Sequence, residues 1–472
     1  MKRAFLVIPP TGQFAREDRC QTSASDLTIN ILRPPLDLMY MATGLEKEGM
    51  TCKIFDYPTE KASWNKFGSD LKSFNPDMLI VSTTVQTVES DLEACRIAKK
   101  FNKKILTMAK GPYLSYNDND FSALKSCSNL DIVMRKEFEL IPGEVVSKKL
   151  SEVKGITYRK GKKTIRNKDR DITDVNDLPI PARHLINNSL YKRIDTGEPM
   201  AIIETSRGCP FTCTYCLAPI VNGRKIRTRK IDKVLEEIKI CEEEFGITNF
   251  HFKSDIFTGK KIWVKDLCNE LIRQNLNINW ICNSRVNTFN EELASIMSKS
   301  GCIGIAFGIE SGSKKTLEIV KKKTTLEQAR KAIKLCKKYG IKSFAHFIIG
   351  FPWESKKDIE ETINFSIKLN PDFADFYFPF PFRNTEFYTQ IKEKGYKLDS
   401  DLLESAAPSA NIAIPTEHLS EEELLALRKK GIRKFYSRPS KIAAPILAIR
   451  DLKSFLNITK EGFKLLRKLW QK

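Results

Sequence analysis

The sequence predicts an α/β protein whose first part forms a doubly wound parallel sheet and whose second part repeats the strand–helix pattern. Short apolar runs alternate with helical patterns over residues 1 to about 145, and the alternation returns from residue 199 to about 395. A polar stretch with a short hairpin pattern separates the two regions. Strands that alternate with helices of this length form parallel sheets covered on both faces.

Composition and charge set the class of protein. The chain has 472 residues, 41% of them hydrophobic and 29% charged, which is typical of a soluble globular protein with two or three domains. No apolar run approaches the roughly 18 residues that a membrane-spanning helix needs. The apolar stretch in Met1–Pro10 is too short for a secretory signal and predicts a first strand. The net charge of +21 suits nucleic acid, anionic lipid or a phosphorylated substrate and does not choose among them.

The first predicted domain, residues 1–145, is a ligand-binding sheet without a dinucleotide fingerprint. Ligands bind such sheets at the carboxyl ends of the strands. No G-x-G-x-x-G follows the first strand, so a dinucleotide site is not supported. The predicted helices are Leu36–Glu48 and Val88–Phe101. The predicted strands are Phe5–Ile8, Cys52–Tyr57, Met78–Ser82, Ile105–Met108 and Leu130–Met134.

The rest of the chain divides into three further segments. Residues 146–198 read as a hairpin and linker, residues 199–395 as a second α/β domain, and residues 396–472 as a basic helical tail. Periodicity alone does not decide whether the second domain is an open sheet or a partial barrel. Its predicted strands are Ala201–Glu204, Asn249–Lys253, Asn279–Asn283, Ile303–Phe307, Ser343–Ile349 and Ala374–Phe378.

Three cysteines open the second domain in a loop. Cys209, Cys213 and Cys216 have C-x3-C-x2-C spacing directly after a buried-strand pattern, and Gly208 and Pro210 end that strand. Such a loop directs three thiolates toward one point, as an iron–sulfur cluster requires, and with no fourth cysteine nearby one iron is left open. The spacing differs from the usual zinc patterns. Twelve cysteines without a signal peptide indicate a reducing cytoplasm, where thiols remain available for metal.

The loop and the strand ends that follow it resemble the radical SAM superfamily over most of residues 199–390. The resemblance implies a partial (β/α)6 barrel, a 4Fe–4S cluster on the three cysteines, and S-adenosylmethionine on the open iron. By matching positions, it implies that Tyr215 packs near the adenine and that Asp255 contacts the methionine amino group.

Later strand ends extend the same resemblance. Ser284 and Arg285 follow the third strand and Glu310 the fourth, at positions that hold the ribose and carboxylate of S-adenosylmethionine. Arg285 and Glu310 are placed to pair with each other or with the cofactor. The segment around Gly350 matches the one that supports the adenine. His346 stands where the family commonly has glycine; the alternatives are a catalytic proton donor, a ligand, or a buried, hydrogen-bonded histidine.

The N-terminal domain, read beside this match, resembles the cobalamin-binding branch of the superfamily. That branch includes magnesium-protoporphyrin monomethyl ester cyclase and hopanoid methylases, and it implies a Rossmann-like sheet that binds cobalamin near Ser82, Thr83 and Gly111. The D-x-H-x-x-G ligand motif is absent, and all four histidines lie beyond residue 180, so this domain supplies no axial histidine. Lys110 and Phe138 stand where members commonly have glycine-containing turns beside the nucleotide tail.

The function implied is that of a radical SAM enzyme. It cleaves S-adenosylmethionine reductively to a 5′-deoxyadenosyl radical, which abstracts hydrogen from an unactivated carbon; a cobalamin-dependent methyltransferase is the leading form. The alternatives are a radical cyclase or oxidative rearrangement and, from another class, a non-catalytic iron–sulfur scaffold that binds membrane or RNA. A flavodoxin or ferredoxin is the expected reductant.

Substrate and location are predicted from two further stretches. The aromatic run Phe373–Phe382 forms core or lines the barrel mouth, where it suits an apolar, lipid-like substrate. Residues 421–472 carry 14 Lys and Arg against 5 Asp and Glu, a net charge of +9. Their amphipathic pattern over Ile442–Trp470 favours an anionic membrane surface or helices docked on the barrel. The predicted location is cytoplasmic or peripheral at the inner membrane face, and no nucleic-acid motif accompanies the charge.

Overall fold

The computed structural model describes residues 2–14, 32–115, 118–396, 414, 416–447, 459 and 462. Their contacts divide the chain into two compact units that meet in sequence between Leu190 and Tyr191. The prediction of an α/β protein with parallel sheets is confirmed. The finer division of the chain into four segments stays a prediction.

The first unit is built on a seven-stranded sheet. Its strands are β1 (Arg3–Ile8), β2 (Thr51–Asp56), β3 (Met78–Ser82), β4 (Leu106–Lys110), β5 (Ile132–Met134), β6 (Ile156–Lys160) and β7 (Lys163–Arg166). They lie in the order β2-β1-β3-β4-β5-β6-β7, and the first five are parallel. The order 2-1-3-4-5 is one of the doubly wound orders. The predicted hairpin is β6–β7, and because β6 pairs antiparallel with β5 it extends this sheet.

Helices cover the sheet of the first unit. Every residue from Ala4 to Ile8 is buried, as expected for a central parallel strand. The predicted helix Val88–Phe101 is interrupted at Leu92. The helices are α1 (Leu36–Lys47), α2 (Tyr57–Glu60), α3 (Trp64–Phe74), α4 (Val88–Asp91), α5 (Glu93–Phe101), α6 (Asn119–Ser126) and α7 (Ile141–Ser147).

The second unit contains six parallel strands that lie side by side in chain order. They are β8 (Met200–Glu204), β11 (Asn249–Lys253), β12 (Asn279–Ser284), β13 (Cys302–Glu310), β14 (Lys342–Ile348) and β15 (Phe373–Tyr377). All six were predicted. One face packs into the main hydrophobic core through residues such as Phe252, Phe307 and Phe347. The alternate residues of β14, among them His346, are half-buried on the opposite face.

A short hairpin of β9 (Ser206–Arg207) and β10 (Arg227–Thr228) stands beside the sheet of the second unit. The helices are α8 (Ala218–Val221), α9 (Ile231–Phe245), α10 (Lys261–Arg273), α11 (Glu291–Lys299), α12 (Lys314–Ile319), α13 (Leu326–Lys338), α14 (Lys356–Leu369), α15 (Glu386–Glu393), α16 (Glu421–Tyr436) and α17 (Pro439–Leu447).

The beginning of the basic tail docks on the second unit. In α16, Leu424 and Phe435 join the main core, and the Tyr436 hydroxyl donates to the Ala374 carbonyl at 2.9 Å. This helix precedes the stretch Ile442–Trp470, for which both alternatives stay predictions. Most of the predicted amphipathic stretch Ile442–Trp470 lies outside the described residues. Among the residues that are described, no helix is long and apolar enough to cross a membrane.

Candidate functional site

The cysteine loop leaves the sheet of the second unit through a turn that only glycine fits. Gly208 has φ +97°, and a Cβ there would lie 2.9 Å from the Lys225 carbonyl carbon. The next amide, that of Cys209, donates to the Gly223 carbonyl at 3.0 Å. The β9–β10 hairpin thereby fixes the start of the loop.

Asp255, which follows β11, holds the same turn from the other side. Its carboxylate accepts the Gly208 amide at 2.7 Å and the Asn222 side-chain amide at 3.0 Å. The structure thus brings the predicted cofactor residue to the cysteine loop, where it positions the turn. Its predicted contact with the methionine amino group stays a prediction.

The three cysteines differ in exposure. Cys209 is buried, and burial raises the pKa of its thiol; Cys213 and Cys216 are half-buried, and none of the three forms a disulfide. The Arg285 guanidinium donates to the Cys213 sulfur at 3.3 Å and lies 3.8 Å from the centre of the Phe211 ring. The guanidinium thereby places a positive charge beside one of the three candidate cluster ligands.

The donor set suits a cluster better than a single ion. Within the described part of the chain, no three His, Cys, Asp or Glu side chains converge closely enough to hold one metal ion. The expectation that the loop directs three thiolates toward one point is therefore wrong for the described residues. A 4Fe–4S cluster takes each cysteine on a different iron, so its ligand sulfurs need not meet at one point. The cysteines at the half-open loop, with Arg285 beside them, therefore fit a cluster.

Glu310 and Lys322 form a buried ion pair next to the loop. Glu310 ends β13 with φ +68° at a bulge, and its carboxylate lies 2.6 Å from the Lys322 ammonium. Gly308 leaves room for the pair, because a Cβ there would lie 2.9 Å from the Lys322 nitrogen. The ammonium also lies 3.5 Å from the Tyr215 hydroxyl. Burial and the Glu310 charge raise the pKa of Tyr215 well above its ordinary value.

This arrangement corrects one expectation. Glu310 takes Lys322 as its ionic partner, whereas Arg285 donates to the Lys322 carbonyl and to Cys213. Arg285 and Glu310 are thus joined through Lys322 instead of pairing with each other. The physical reason is that the guanidinium is already satisfied by the sulfur and the carbonyl, while a buried carboxylate requires a cation.

Ser284 ends β12 in a row of hydroxyls. Its side chain hydrogen-bonds with that of Thr258, which lies 2.7 Å from the Thr288 hydroxyl. Hydroxyl groups both donate and accept hydrogen bonds, so the Ser284 hydroxyl is chemically able to bond a ribose hydroxyl in place of Thr258. The predicted ribose contact of Ser284 stays a prediction.

The turn after β14 is closed by a buried carboxylate. Gly350 has φ +86°, and its amide and that of Phe351 donate to one Glu354 oxygen at 2.8 and 3.1 Å. The other oxygen accepts the Thr316 hydroxyl at 3.0 Å. Glu354 is fully buried, and removal from water raises its pKa to about 7.

His346 belongs to a polar group on the half-exposed face of the sheet. Its Nδ1 lies 3.2 Å from the Tyr377 hydroxyl, which lies 3.3 Å from an Asp375 oxygen. His346 and Asp375 are register partners on adjacent parallel strands, so their side chains leave the sheet on the same side. The nearby aromatic run divides: Phe376, Phe378 and Phe380 are core residues, while Tyr377 stays half-buried.

In the first unit, the predicted cobalamin residues meet where β3 and β4 end. Ser82 and Thr83 are buried, and the Thr83 hydroxyl donates to the Lys110 carbonyl at 3.0 Å. A Cβ at Gly111 would lie 2.6 Å from the Thr83 carbonyl oxygen, so glycine is required there. Nearby, Asp91 accepts the Thr11 hydroxyl at 2.5 Å and the Thr84 amide at 3.2 Å.

The two departures from the family pattern have structural explanations. Lys110 is buried, its ammonium pairs with Asp37, and it lies 4.8 Å from the centre of the Phe138 ring. Lys136 and Glu137 adopt φ +43° and +29°, so this turn uses left-handed backbone without a glycine. That conformation costs strain at non-glycine residues.

Lys322, Glu354 and Tyr377 lie in the site although they were not among the predicted site residues. Lys322 lies in the run Lys321–Lys323, which reads as a solvated surface, and only its burial distinguishes it. Glu354 lies four residues after the turn glycine Gly350. This short separation is the one sequence feature that could have indicated its contact with the turn. Tyr377 was read as one aromatic among many.

A family model matches part of the second unit. The model described as the radical SAM superfamily matches residues 203–366. This range begins at β8 and extends into α14, and it includes the cysteine loop, Asp255, Arg285, Glu310 and Gly350.

Two curated proteins and one solved structure resemble the chain over most of its length. An uncharacterized methyltransferase of Pyrococcus horikoshii is 31% identical over 447 residues, 93% of each chain. The anaerobic magnesium-protoporphyrin IX monomethyl ester cyclase of Rubrivivax gelatinosus is 26% identical over 90% of this chain and 77% of its own. The radical S-adenosylmethionine methyltransferase TsrM of Kitasatospora setae, solved with cobalamin and a [4Fe-4S] cluster, superposes with a TM-score of 0.72, covers 99% of both chains and is 14% identical. The last comparison shows a shared fold.

Proposed function

Because the chain belongs to the radical SAM superfamily, we propose that it is a cobalamin-dependent radical SAM methyltransferase. One observation carries the proposal. Four successive strands of the second unit end at or just before four residues that match the cofactor positions of the family, and these residues are Asp255, Arg285, Glu310 and Gly350. The finer architecture is part of the proposal. We infer a Rossmann-like sheet in the first unit, from its 2-1-3-4-5 order, and a partial (β/α)6 barrel in the second, from six parallel strands in chain order.

The cofactors are a 4Fe–4S cluster, S-adenosylmethionine and cobalamin. When bound, they supply a 5′-deoxyadenosyl radical that abstracts hydrogen from an unactivated carbon and a methyl group that replaces it. In the second unit, Cys209, Cys213 and Cys216 hold the cluster and Asp255 keeps their loop in place. Arg285 provides positive charge at the Cys213 sulfur. Lys322 and Glu310 offer one ammonium and one carboxylate to the polar groups of S-adenosylmethionine, beside the Tyr215 ring.

The first unit would hold cobalamin at the ends of β3 and β4. A Cβ at Gly111 would lie 2.6 Å from the Thr83 carbonyl oxygen, so only a glycine lets the two strand ends approach each other beside the proposed site. The only histidine in this unit, His184, bonds to Glu46 on α1, in agreement with binding that uses no axial histidine. Lys110 turns its charge toward Asp37, so its side chain is held inside the unit.

The substrate is proposed to lie over the half-exposed face of the second sheet. Phe344 and Phe373 stack there with ring centres 4.7 Å apart, two residues before His346 and Asp375 on their strands. An apolar substrate with one polar group would fit this face, because the aromatic pair offers apolar contact and the pair His346–Asp375 offers polar contact. His346, held by Tyr377, is the proposed residue for binding or protonating that group.

A radical cyclase is the second candidate. The Rubrivivax relative named as a cyclase spans 90% of this chain, and the same cofactor residues would serve hydrogen abstraction without methyl transfer. Either enzyme needs an external reductant and a substrate. We place the protein in the cytoplasm, with the basic stretch Ile442–Trp470 as the proposed segment for an anionic membrane surface.

The product distinguishes the candidates. Metabolite and lipid extracts of a deletion strain would be compared with the parent, and the accumulating compound given to the anaerobically reconstituted enzyme with methyl-deuterated S-adenosylmethionine. Transfer of the labelled methyl group supports the methyltransferase. Loss of two hydrogens without label supports the cyclase, and no 5′-deoxyadenosine from any reconstituted preparation would overturn both.

A further inference from the structure

The segment that covers the cysteine loop is unusually basic. Residues 222–230, Asn-Gly-Arg-Lys-Ile-Arg-Thr-Arg-Lys, contain five Arg and Lys and no Asp or Glu. The segment contains β10, which pairs antiparallel with β9 directly before the cysteines. Its Gly223 carbonyl accepts the Cys209 amide at 3.0 Å, so this chain segment lies against the first cluster ligand.

Two of the five charges serve the fold. Arg229 is buried and pairs with Glu237 on α9, and Arg227 donates to the Asn222 carbonyl at 2.8 Å. The remaining three, Arg224, Lys225 and Lys230, are exposed. Like charges that are concentrated on a surface repel each other and lower the stability of the fold. An exposed cluster of this kind is therefore better explained by binding of an oppositely charged partner than by a role in folding.

Two more exposed lysines enlarge the patch. Lys260 and Lys261 stand at the start of α10, and the Lys260 ammonium lies 3.5 Å from the Thr228 hydroxyl of β10. Arg224, Lys225, Lys230, Lys260 and Lys261 together are called the basic hairpin surface. It borders the cysteine loop on the side of Cys209.

We propose that the basic hairpin surface is the docking site for an acidic one-electron carrier protein that reduces the cluster. The proposal rests on the proposed function, which requires a reductant. Opposite charges steer two proteins into one orientation and raise their association rate. Docking here brings the carrier against the chain segment whose Gly223 carbonyl accepts the Cys209 amide. The exchange moves one electron from the reduced carrier to the cluster and transfers no atoms.

The test compares a protein carrier with a small reductant. The variant Arg224→Glu/Lys260→Glu/Lys261→Glu reverses three exposed charges without changing the loop. Its matched control, Lys331→Glu/Lys334→Glu/Lys356→Glu, makes the same change in net charge at exposed lysines on α13 and α14. The measurements are the Kd for an acidic flavodoxin at low and physiological salt, and 5′-deoxyadenosine formation driven by that flavodoxin or by dithionite.

We expect the hairpin variant to bind flavodoxin at least about tenfold more weakly at low salt, and to lose flavodoxin-driven activity in proportion. The control keeps wild-type affinity, and wild-type affinity itself falls as salt rises. Dithionite-driven activity shows whether the proposed function holds, whereas the Kd judges the docking site by itself. Equal binding by the hairpin variant, or equal loss in the control, would overturn the proposal. If the variant loses iron, the neutral pair Lys260→Gln/Lys261→Gln, which lies outside the Cys209–Thr228 segment, decides by the same Kd.

Discussion

The two units use the carboxyl ends of their strands in different ways. In the second unit, charged side chains gather there: Arg285 contacts Cys213, and Glu310 pairs with Lys322. In the first unit, the corresponding ends of β3 and β4 present buried hydroxyls and a glycine, and the charged Lys110 is turned inward to Asp37. The proposed cluster site in the second unit depends on side-chain chemistry, and the proposed cobalamin site in the first unit depends on backbone shape.

This difference explains why one site was easier to recognise. Thiolates at C-x3-C-x2-C spacing perform chemistry that few other residues provide, so the spacing is informative. A surface that accommodates a ring requires only small residues and a particular backbone path, and many sequences provide these. Gly111 shows the point, since its importance lies in its distance from Thr83 and not in its own chemistry.

The sharpest way to test the comparison is to remove one thiol from the second unit. Cys213→Ala should abolish S-adenosylmethionine cleavage, because two cysteines do not hold a 4Fe–4S cluster, and should leave corrinoid binding by the first unit unchanged. Iron content and 5′-deoxyadenosine yield are the measurements. Cys336→Ala removes a buried thiol from the core of the same unit and should keep its iron. Wild-type yield from the Cys213 variant would end the cluster assignment.

The reciprocal change adds one methyl group to the first unit. Gly111→Ala places a Cβ 2.6 Å from the Thr83 carbonyl oxygen, so the ends of β3 and β4 must separate. We expect the variant to lose bound corrinoid after purification with hydroxocobalamin, while its iron content stays at the wild-type level. Gly68→Ala, in α3 with open space around it, is the control and should retain the corrinoid spectrum. A Gly111 variant that binds corrinoid normally would remove this site.

The sequence predicted the scaffold of the second unit better than its interior. All six strands were found because parallel strands are short apolar runs between helices. The bulge that gives Glu310 φ +68° lies beyond the predicted end of its strand at Phe307, since alternation does not reveal a left-handed residue. Lys322 was missed because its role depends on burial beside Glu310, twelve residues away, and three consecutive lysines have no local feature that separates them.

That buried pair provides a second test of side-chain chemistry in the second unit. Lys322→Met leaves the Glu310 carboxylate buried without its cation, which costs about 3–5 kcal/mol of unfolding free energy. The double variant Glu310→Gln/Lys322→Met should recover most of that stability, because no unpaired charge remains. Both should bind S-adenosylmethionine more weakly. Calorimetric unfolding and equilibrium dialysis measure the two effects, and normal affinity in the double variant would show the pair to be structural only.

The smallest expected effect concerns Glu354, whose carboxylate accepts backbone amides of a turn in the second unit, as Asp91 accepts the Thr84 amide in the first. Glu354 is fully buried, and its pKa rises from about 4.5 to about 7. The folded protein therefore holds this proton more tightly than the unfolded chain, so wild-type stability falls as pH rises between these values. Glu354→Gln stays neutral; its carbonyl can accept the Gly350 and Phe351 amides and its amide can donate to Thr316. Relative to wild type it should gain up to about 3 kcal/mol from pH 4.5 to 7, measured by denaturant unfolding. A stability difference independent of pH would show that Glu354 is already ionised at the lower pH.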